Sequence, residues 1–310
     1  MTHAPLKIGI IGFGEVGSSF TRGLLDGGGV DIVAYDDPPG PTERALALRR
    51  AAELDVRLAF EPSILGDRDI VLSSVTQDAA AVAARASIPA LLPSVIYADV
   101  NSLGPSVKAE VAGIVTATGR AFVDIAIMGA PASGLHRVPL LAAGGPASEL
   151  AARLAPFGFD IRVVGDRPGQ AAAVKILRSV LTKGLETLLV ESLVAARRYG
   201  LDGEVIDSFV EMFERKGARD VIDFLLRSHG VHAGRRALEV AQSADTIAQV
   251  GLDPVVSRVV SARLAGLADL GLKRSLGGEQ PATLALAIAH LDAALGHTAS
   301  QETLLHVRHD

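Results

Sequence analysis

The sequence predicts an α/β domain over residues 1–165 followed by an all-α domain over residues 166–310. Three observations carry this. Short apolar runs alternate with amphipathic stretches as far as Val164. Strand patterns then stop, and a period of 3.6 takes over. The stretch that joins the two, Gly169 to Gly200, holds no proline and only Gly184 inside it. As one helix it spans about 45 Å, against a usual helix of roughly 11–12 residues.

Leu6–Ile11 is an apolar run rich in isoleucine, and Gly12-Phe13-Gly14-Glu15-Val16-Gly17 follows it. Val16–Leu25 then reads as a helix closed by Gly27-Gly28-Gly29. Asp31–Tyr35 is a second strand with Asp36 at its end, 19 residues past Gly17. A G-x-G-x-x-G between strand and helix, with an acid at that distance, is the signature of a Rossmann-type dinucleotide-binding domain. Gly12 permits the turn, Gly14 lets backbone approach a pyrophosphate, and Gly17 lets helix pack on strand. The free N–H groups of the helix start face the phosphates. Asp36 accepts the ribose hydroxyls and repels a 2′-phosphate. With no Arg or Lys after it until Arg44, NAD is favoured over NADP. Glu15 is expected to face solvent.

The alternation continues. Thr42 reads as the N-cap of a helix through Ala52, and Val56–Phe60 as a strand. Asp69–Ser74 is a buried strand, followed by Val75-Thr76-Gln77 and an alanine-rich helix to Ser87. Ser94–Asp99 leads into Asn101-Ser102, and a helix runs from Ser106 to Gly119. Ala121–Ile127, Leu140–Ala143 and Ile161–Val164 are further strands, with a helix over Ala147–Leu154. Ligands of such sheets bind beyond the carboxyl ends of the strands. Gly12–Gly17, Asp36, Val75-Thr76, Asn101-Ser102 and Met128-Gly129 all fall there. Past Gly169 the pattern predicts helices over 170–199, 203–215, 218–228, 232–250, 254–270 and 281–295, with an active site between the two domains.

Net charge is −5 in 310 residues, which gives no basic footprint for nucleic acid. No apolar stretch reaches the 18 residues of a membrane span. There is no cysteine, hence no disulfide or thiol nucleophile, and eight scattered histidines show no zinc-binding spacing. With no signal peptide visible, a cytoplasmic protein is expected.

Four segments carry a family resemblance. GFGEVG resembles the N-terminal dinucleotide motif of the β-hydroxyacid dehydrogenases, which include 6-phosphogluconate and 3-hydroxyisobutyrate dehydrogenases. Asp99–Pro105 resembles their D-x-S-T-x-x-P segment, and Asp124–Ala130 their D-A-P-V-S-G-G segment. Gly169–Lys175 resembles their G-x-x-x-x-x-K segment. KILRS, KGLE and HAGRRALEVA resemble a side branch whose C-terminal domain is of unknown function. The resemblance implies that Lys175 is the catalytic lysine. Two departures stand out: Ser179 where the family has Asn, and Met128 where it has a substrate-binding Ser. The stretch 131–137, ending in His136-Arg137, is also longer than the usual loop. Together they imply a bulkier or less polar substrate than hydroxyisobutyrate.

The expected activity is NAD(P)-dependent hydride transfer to or from a CH–OH or carbonyl group of a β-hydroxy acid or relative. Lys175 serves as general acid/base. Ser102, Met128, Gly129, Ser179, Lys183, His232 and Arg236 are candidate substrate residues. Gly12, Phe13, Gly14, Glu15, Val16, Gly17, Asp36, Val75, Thr76 and Asn101 are candidate cofactor residues. The last two substrate candidates share a helical face at i, i+4 beside Arg235. An imine reductase and a non-catalytic NAD sensor are the alternatives. The acid/base lysine argues against both. The long apolar helix predicts a homodimer.

Overall fold

A computed structural model describes residues 4–306, with side chains for 4–296. The chain divides into two compact units, Met1–Val180 and Leu181–Asp310, with the division inside the long helix.

The first unit is built on an eight-stranded sheet: β1 (Leu6–Ile11), β2 (Val30–Tyr35), β3 (Arg57–Ala59), β4 (Ile70–Ser73), β5 (Ile96–Asp99), β6 (Ala121–Ile127), β7 (Pro139–Ala143) and β8 (Asp160–Gly165). Its order is β3-β2-β1-β4-β5-β6-β7-β8. The first six strands are parallel, in the arrangement of two mononucleotide-binding halves. β7 pairs antiparallel with β6, and β8 runs parallel to β7, so the last two strands are reversed.

Helices cover both faces: α1 (Glu15–Gly27), α2 (Pro41–Glu53), α3 (Ala80–Ser87), α4 (Pro105–Thr116), the short α5 (Pro131–Gly134) and α6 (Ala147–Leu154). Side chains alternate across a strand. Ile8 and Ile10 therefore join one buried cluster with Phe20, Leu24 and Leu150, while Ile11 joins Tyr97, Val111 and Phe122 in the other. Strands covered on both sides read as unbroken apolar runs.

Helix α7 (Gln170–Tyr199) starts in the first unit and continues into the second. The second unit contains α8 (Asp202–Lys216), α9 (Ala218–Gln249), α10 (Val255–Asp269), α11 (Leu272–Ser275) and α12 (Leu284–His306). In this unit the Glu191 carboxylate of α7 accepts the N–H groups of Val256 and Ser257 at 2.8 and 2.9 Å. It thereby caps α10 where its first N–H groups lack intrahelical acceptors.

Most element ends shift by one to three residues from the sequence reading, and three differences have a clear physical cause. α2 begins at Pro41 with Gly40 as N-cap, because the fixed φ of proline suits the first helical position; Thr42 lies inside the helix. Helices expected over 218–228 and 232–250 are one helix. Gly230 does not break it, since a Cβ there would sit 3.0 Å from Leu276 Cδ1 and 3.4 Å from Leu272 Cβ. The glycine serves the close approach of α11. α12 begins after Thr283 rather than at Pro281, and Thr283 Oγ1 accepts the N–H of Leu286 at 3.2 Å.

Among the described residues no helix is long and apolar enough to cross a membrane. Nor does any cluster of three or more His, Asp or Glu suit a metal.

Candidate active site

The glycine loop runs from the end of β1 into α1. Gly12 has φ +86°, and a Cβ there would lie 2.6 Å from the Ser74 carbonyl oxygen. Only glycine accepts both conditions. Gly14 is the N-cap of α1, without a side-chain cap, and no atom lies within 4 Å of where its Cβ would be. That leaves backbone N–H groups open to an anion. A Cβ on Gly17 would run into the Gly12 carbonyl oxygen and lie 3.0 Å from Ile10 Cγ2, so the glycine lets α1 pack closely on both the loop and β1. Glu15 is exposed, and Val16 borders the site.

Asp36 sits at the end of β2, where its Oδ2 accepts the Phe13 N–H at 3.0 Å. Burial raises its pKa above the ordinary carboxylate value against the lowering effect of its hydrogen bonds to the Phe13 and Asp37 backbone. Phe13, Asp36 and Thr76 line a cavity of about 340 Å³ together with Asp37, Glu43 and Arg50. Arg44, the first cation after Asp36, stacks on the Phe60 ring with its guanidinium carbon 3.8 Å from the centroid. An open Gly14, an uncapped helix start and an acid tied to the loop suit an adenosine dinucleotide.

A second cavity, of about 390 Å³, adjoins the first: Ser74 and Val75 line both. Asn101, Ser102, Met128, Gly129 and Lys175 line it, as do Arg178 and Pro131. Asn101 is held at both ends of its side chain. Its Oδ1 accepts the Val75 N–H at 2.6 Å and its Nδ2 donates to Ser73 Oγ at 3.2 Å. Lys175 is half-buried, and burial lowers its pKa from the ordinary lysine value. The positive charges of Lys108 and Arg178 push the same way. The amine therefore titrates nearer to neutrality.

The other candidates are not among the lining residues of either cavity. Ser179 is half-buried one turn beyond Lys175, outside the lining of either cavity. Lys183, His232 and Arg236 belong to the second unit. Arg236 already donates to Ser228 Oγ at 2.6 Å and to the Leu225 carbonyl at 3.3 Å. His232 is half-buried on α9. His136 is fully buried: its Nε2 lies 2.7 Å from the Phe157 carbonyl, which pins the segment after α5.

Sequence reasoning missed Arg178, Lys108 and the roles of Asp99 and Asp124. Arg178 was recoverable from its i, i+3 spacing to Lys175. Lys108 stands at i, i+3, i+4, i+7 with Val111, Ala112 and Val115, which places a lysine in the buried stripe of α4.

Comparisons with known proteins bear on the family and the fold. Residues 7–157 match the NAD binding domain of 6-phosphogluconate dehydrogenase, and residues 196–267 match a domain of unknown function, DUF1932. A conserved hypothetical protein from Sinorhizobium meliloti 1021 is 35% identical, with a TM-score of 0.60, over 86% of this chain and 89% of its own. The conserved protein MTH1747 of unknown function, described as structurally similar to 3-hydroxyacid dehydrogenases, is 31% identical with a TM-score of 0.60. That match covers 85% of this chain and 97% of its own. An imine reductase from Myxococcus stipitatus, a V8 variant in complex with NAD+, has a TM-score of 0.72 at 19% identity over 92% and 100% of the two chains. At that identity the likeness is one of fold.

Proposed function

The chain belongs to the 3-hydroxyacid dehydrogenase-like proteins that join a 6-phosphogluconate dehydrogenase-type NAD-binding domain to a DUF1932 domain, and from that premise we propose that this NAD(P)-dependent oxidoreductase interconverts an anionic hydroxy acid and its carbonyl form, with Lys175 as general acid/base. One observation carries the reading: Lys175 lines a cavity that adjoins the dinucleotide cavity through Ser74 and Val75.

The nicotinamide, when bound, takes or gives the hydride. The chain must handle the proton. In oxidation the neutral amine of Lys175 accepts the hydroxyl proton as the carbon gives up its hydride. In reduction the ammonium returns that proton to the carbonyl oxygen. A lowered lysine pKa makes the neutral, proton-accepting amine easier to reach than in an ordinary lysine. Ser102 offers a hydroxyl to the substrate, and the Gly129 backbone lets it come close. Met128 and Pro131 supply an apolar wall, in keeping with a bulkier substrate.

Arg178 adds what the sequence reading lacked. With Lys175 it gives the cavity two cations and no carboxylate among its lining residues. A carboxylate substrate gains a charge-assisted hydrogen bond there. A neutral imine gains nothing from it, which favours the hydroxy acid over the imine reductase reading.

The dinucleotide we propose is NAD. Asp36, Asp37 and Glu43 line its cavity, and Arg44 is engaged on Phe60. A 2′-phosphate would face three carboxylates and a single guanidinium, Arg50. The assembly we propose is a homodimer through the apolar side of α7. Leu181 is 73% exposed, and a groove of about 620 Å³ runs along Leu185, Leu189 and Ile206.

The deciding experiment is a screen of hydroxy acids, their uncharged alcohol analogues and cyclic imines with NAD and NADP. Turnover confined to imines would overturn the reading.

A further inference from the structure

We propose that Lys108 is a positioning residue for Lys175: its ammonium, buried between Asp99 and Asp124, locks the first turn of α7 to the end of β5 and the middle of β6 and so fixes the amine that moves the proton. This rests on the reading of Lys175 as the acid/base.

Lysine is almost never fully buried unless paired. The Lys108 side chain is 1% exposed, and those of Asp99 and Asp124 are 0% exposed. The three protons of the ammonium go to Asp99 O at 2.6 Å, Asp99 Oδ1 at 2.8 Å and Ile125 O at 3.2 Å. Asp124 Oδ1 lies 3.2 Å away and is held by charge rather than by an aligned hydrogen bond. The other oxygen of Asp124 reaches α7. It accepts the N–H of Gly169 at 3.0 Å and of Ala172 at 3.1 Å, at the helix start where such groups lack intrahelical acceptors. Lys175 follows Ala172 by three residues, just under a turn.

The second carboxylate leads to the facing wall of the cavity. Asp99 Oδ1 also accepts the Asn101 N–H at 2.9 Å, and Asn101 holds the Val75 N–H. One ammonium thus ties together the segments that carry Val75, Asn101 and Lys175. Gly169 completes the fit: at φ +94° its Cβ would lie 2.7 Å from the Pro105 carbonyl, so α7 and α4 meet with no room to slide. Buried ion pairs contribute little net stability, and an apolar side chain would complete the α4 stripe without the desolvation cost. What the ammonium adds is geometry and a positive charge below the active amine.

Among the described residues, Lys108 faces Lys175 from α4 and Arg178 from its own helix, with Asp99 and Asp124 paired to Lys108. The remaining lining of the cavity, from Val16 to Pro131, carries no titratable side chain.

The test uses the full-length protein without substrate. The chain has six lysines, so 13Cε-lysine labelling gives a small set of NMR signals, with Lys175→Arg assigning the one that matters. In Lys108→Met the Lys175 midpoint should rise by about half a pH unit or more, roughly a threefold gain in proton affinity, as a positive neighbour is lost. Amide exchange at Gly169 and Ala172 should quicken by about tenfold or more. Lys108→Met/Asp99→Asn keeps the net charge of the cluster, so its two amides must quicken alike while its Lys175 midpoint moves less than in the single variant. It carries the amide test if the single variant does not fold. A fall in melting temperature alone, with the Lys175 midpoint unmoved in Lys108→Met or the two amides unmoved in either folded variant, would overturn the proposal. Retained turnover in Lys175→Ala would remove the acid/base reading instead, and leaves the titration result standing.

Discussion

The Phe13 main-chain N–H donates to Asp36 Oδ2 at 3.0 Å, so the glycine loop and the acid at the end of β2 form one rigid unit. Two consequences for the cofactor follow from that bond. NAD should bind at least tenfold more tightly than NADP, a difference of about 1.4 kcal/mol. Calorimetry reads it directly, and Asp36→Ala should narrow the gap.

The same carboxylate gives a pH dependence. Ionised Asp36 accepts the ribose hydroxyls, and burial raises its pKa above that of an ordinary aspartate. NAD affinity is therefore full at neutral pH and falls as pH drops through that raised value, beginning at a less acidic pH than an ordinary aspartate would give. Affinity that is flat with pH in the wild type, or equally sloped in Asp36→Asn, would contradict this.

Replacing Gly12 by alanine forces a side chain onto φ +86° and against the Ser74 carbonyl, which is backbone and cannot step aside. The expected loss is about 1–3 kcal/mol of stability, seen in denaturant unfolding. Gly14→Ala is the contrast. No atom lies near its Cβ position, so stability should hold while cofactor affinity drops.

Lys175→Ala removes the proton acceptor and none of the groups around the glycine loop. Turnover should fall by about 10²–10⁴-fold with NAD affinity within a few-fold. Because its pKa is lowered, oxidation in the wild type should rise with pH and level off below the ordinary lysine range. A profile that still climbs beyond pH ~10.4 would place the acid/base elsewhere.

Arg178→Met should raise the Michaelis constant for a carboxylate substrate about tenfold to a hundredfold, the loss of one charge-assisted hydrogen bond, with turnover little changed. The uncharged alcohol analogue should be indifferent to the change. Equal loss for both would mean that Arg178 shapes the cavity rather than recognising charge.

The sequence by itself determined the order of elements, the glycine loop with its acid, and the length of α7, because periods of 2 and 3.6 and the φ demands of glycine are local properties. β6 and α6 were legible to the residue for that reason. Tertiary structure alone decided what depends on distant partners. β7 and β8 run backwards because β7 pairs antiparallel with β6 across the Met128–Val138 connection, and an apolar run carries no direction. Gly230 is a contact with α11 and not a stop, since only the packed partner distinguishes the two uses of a glycine. Lys108 falls in the apolar stripe of α4, but only Asp99 and Asp124, closing around it from two strands, explain how a lysine is buried there. A charge can be buried only where its counter-charges converge, and that convergence is a property of the fold.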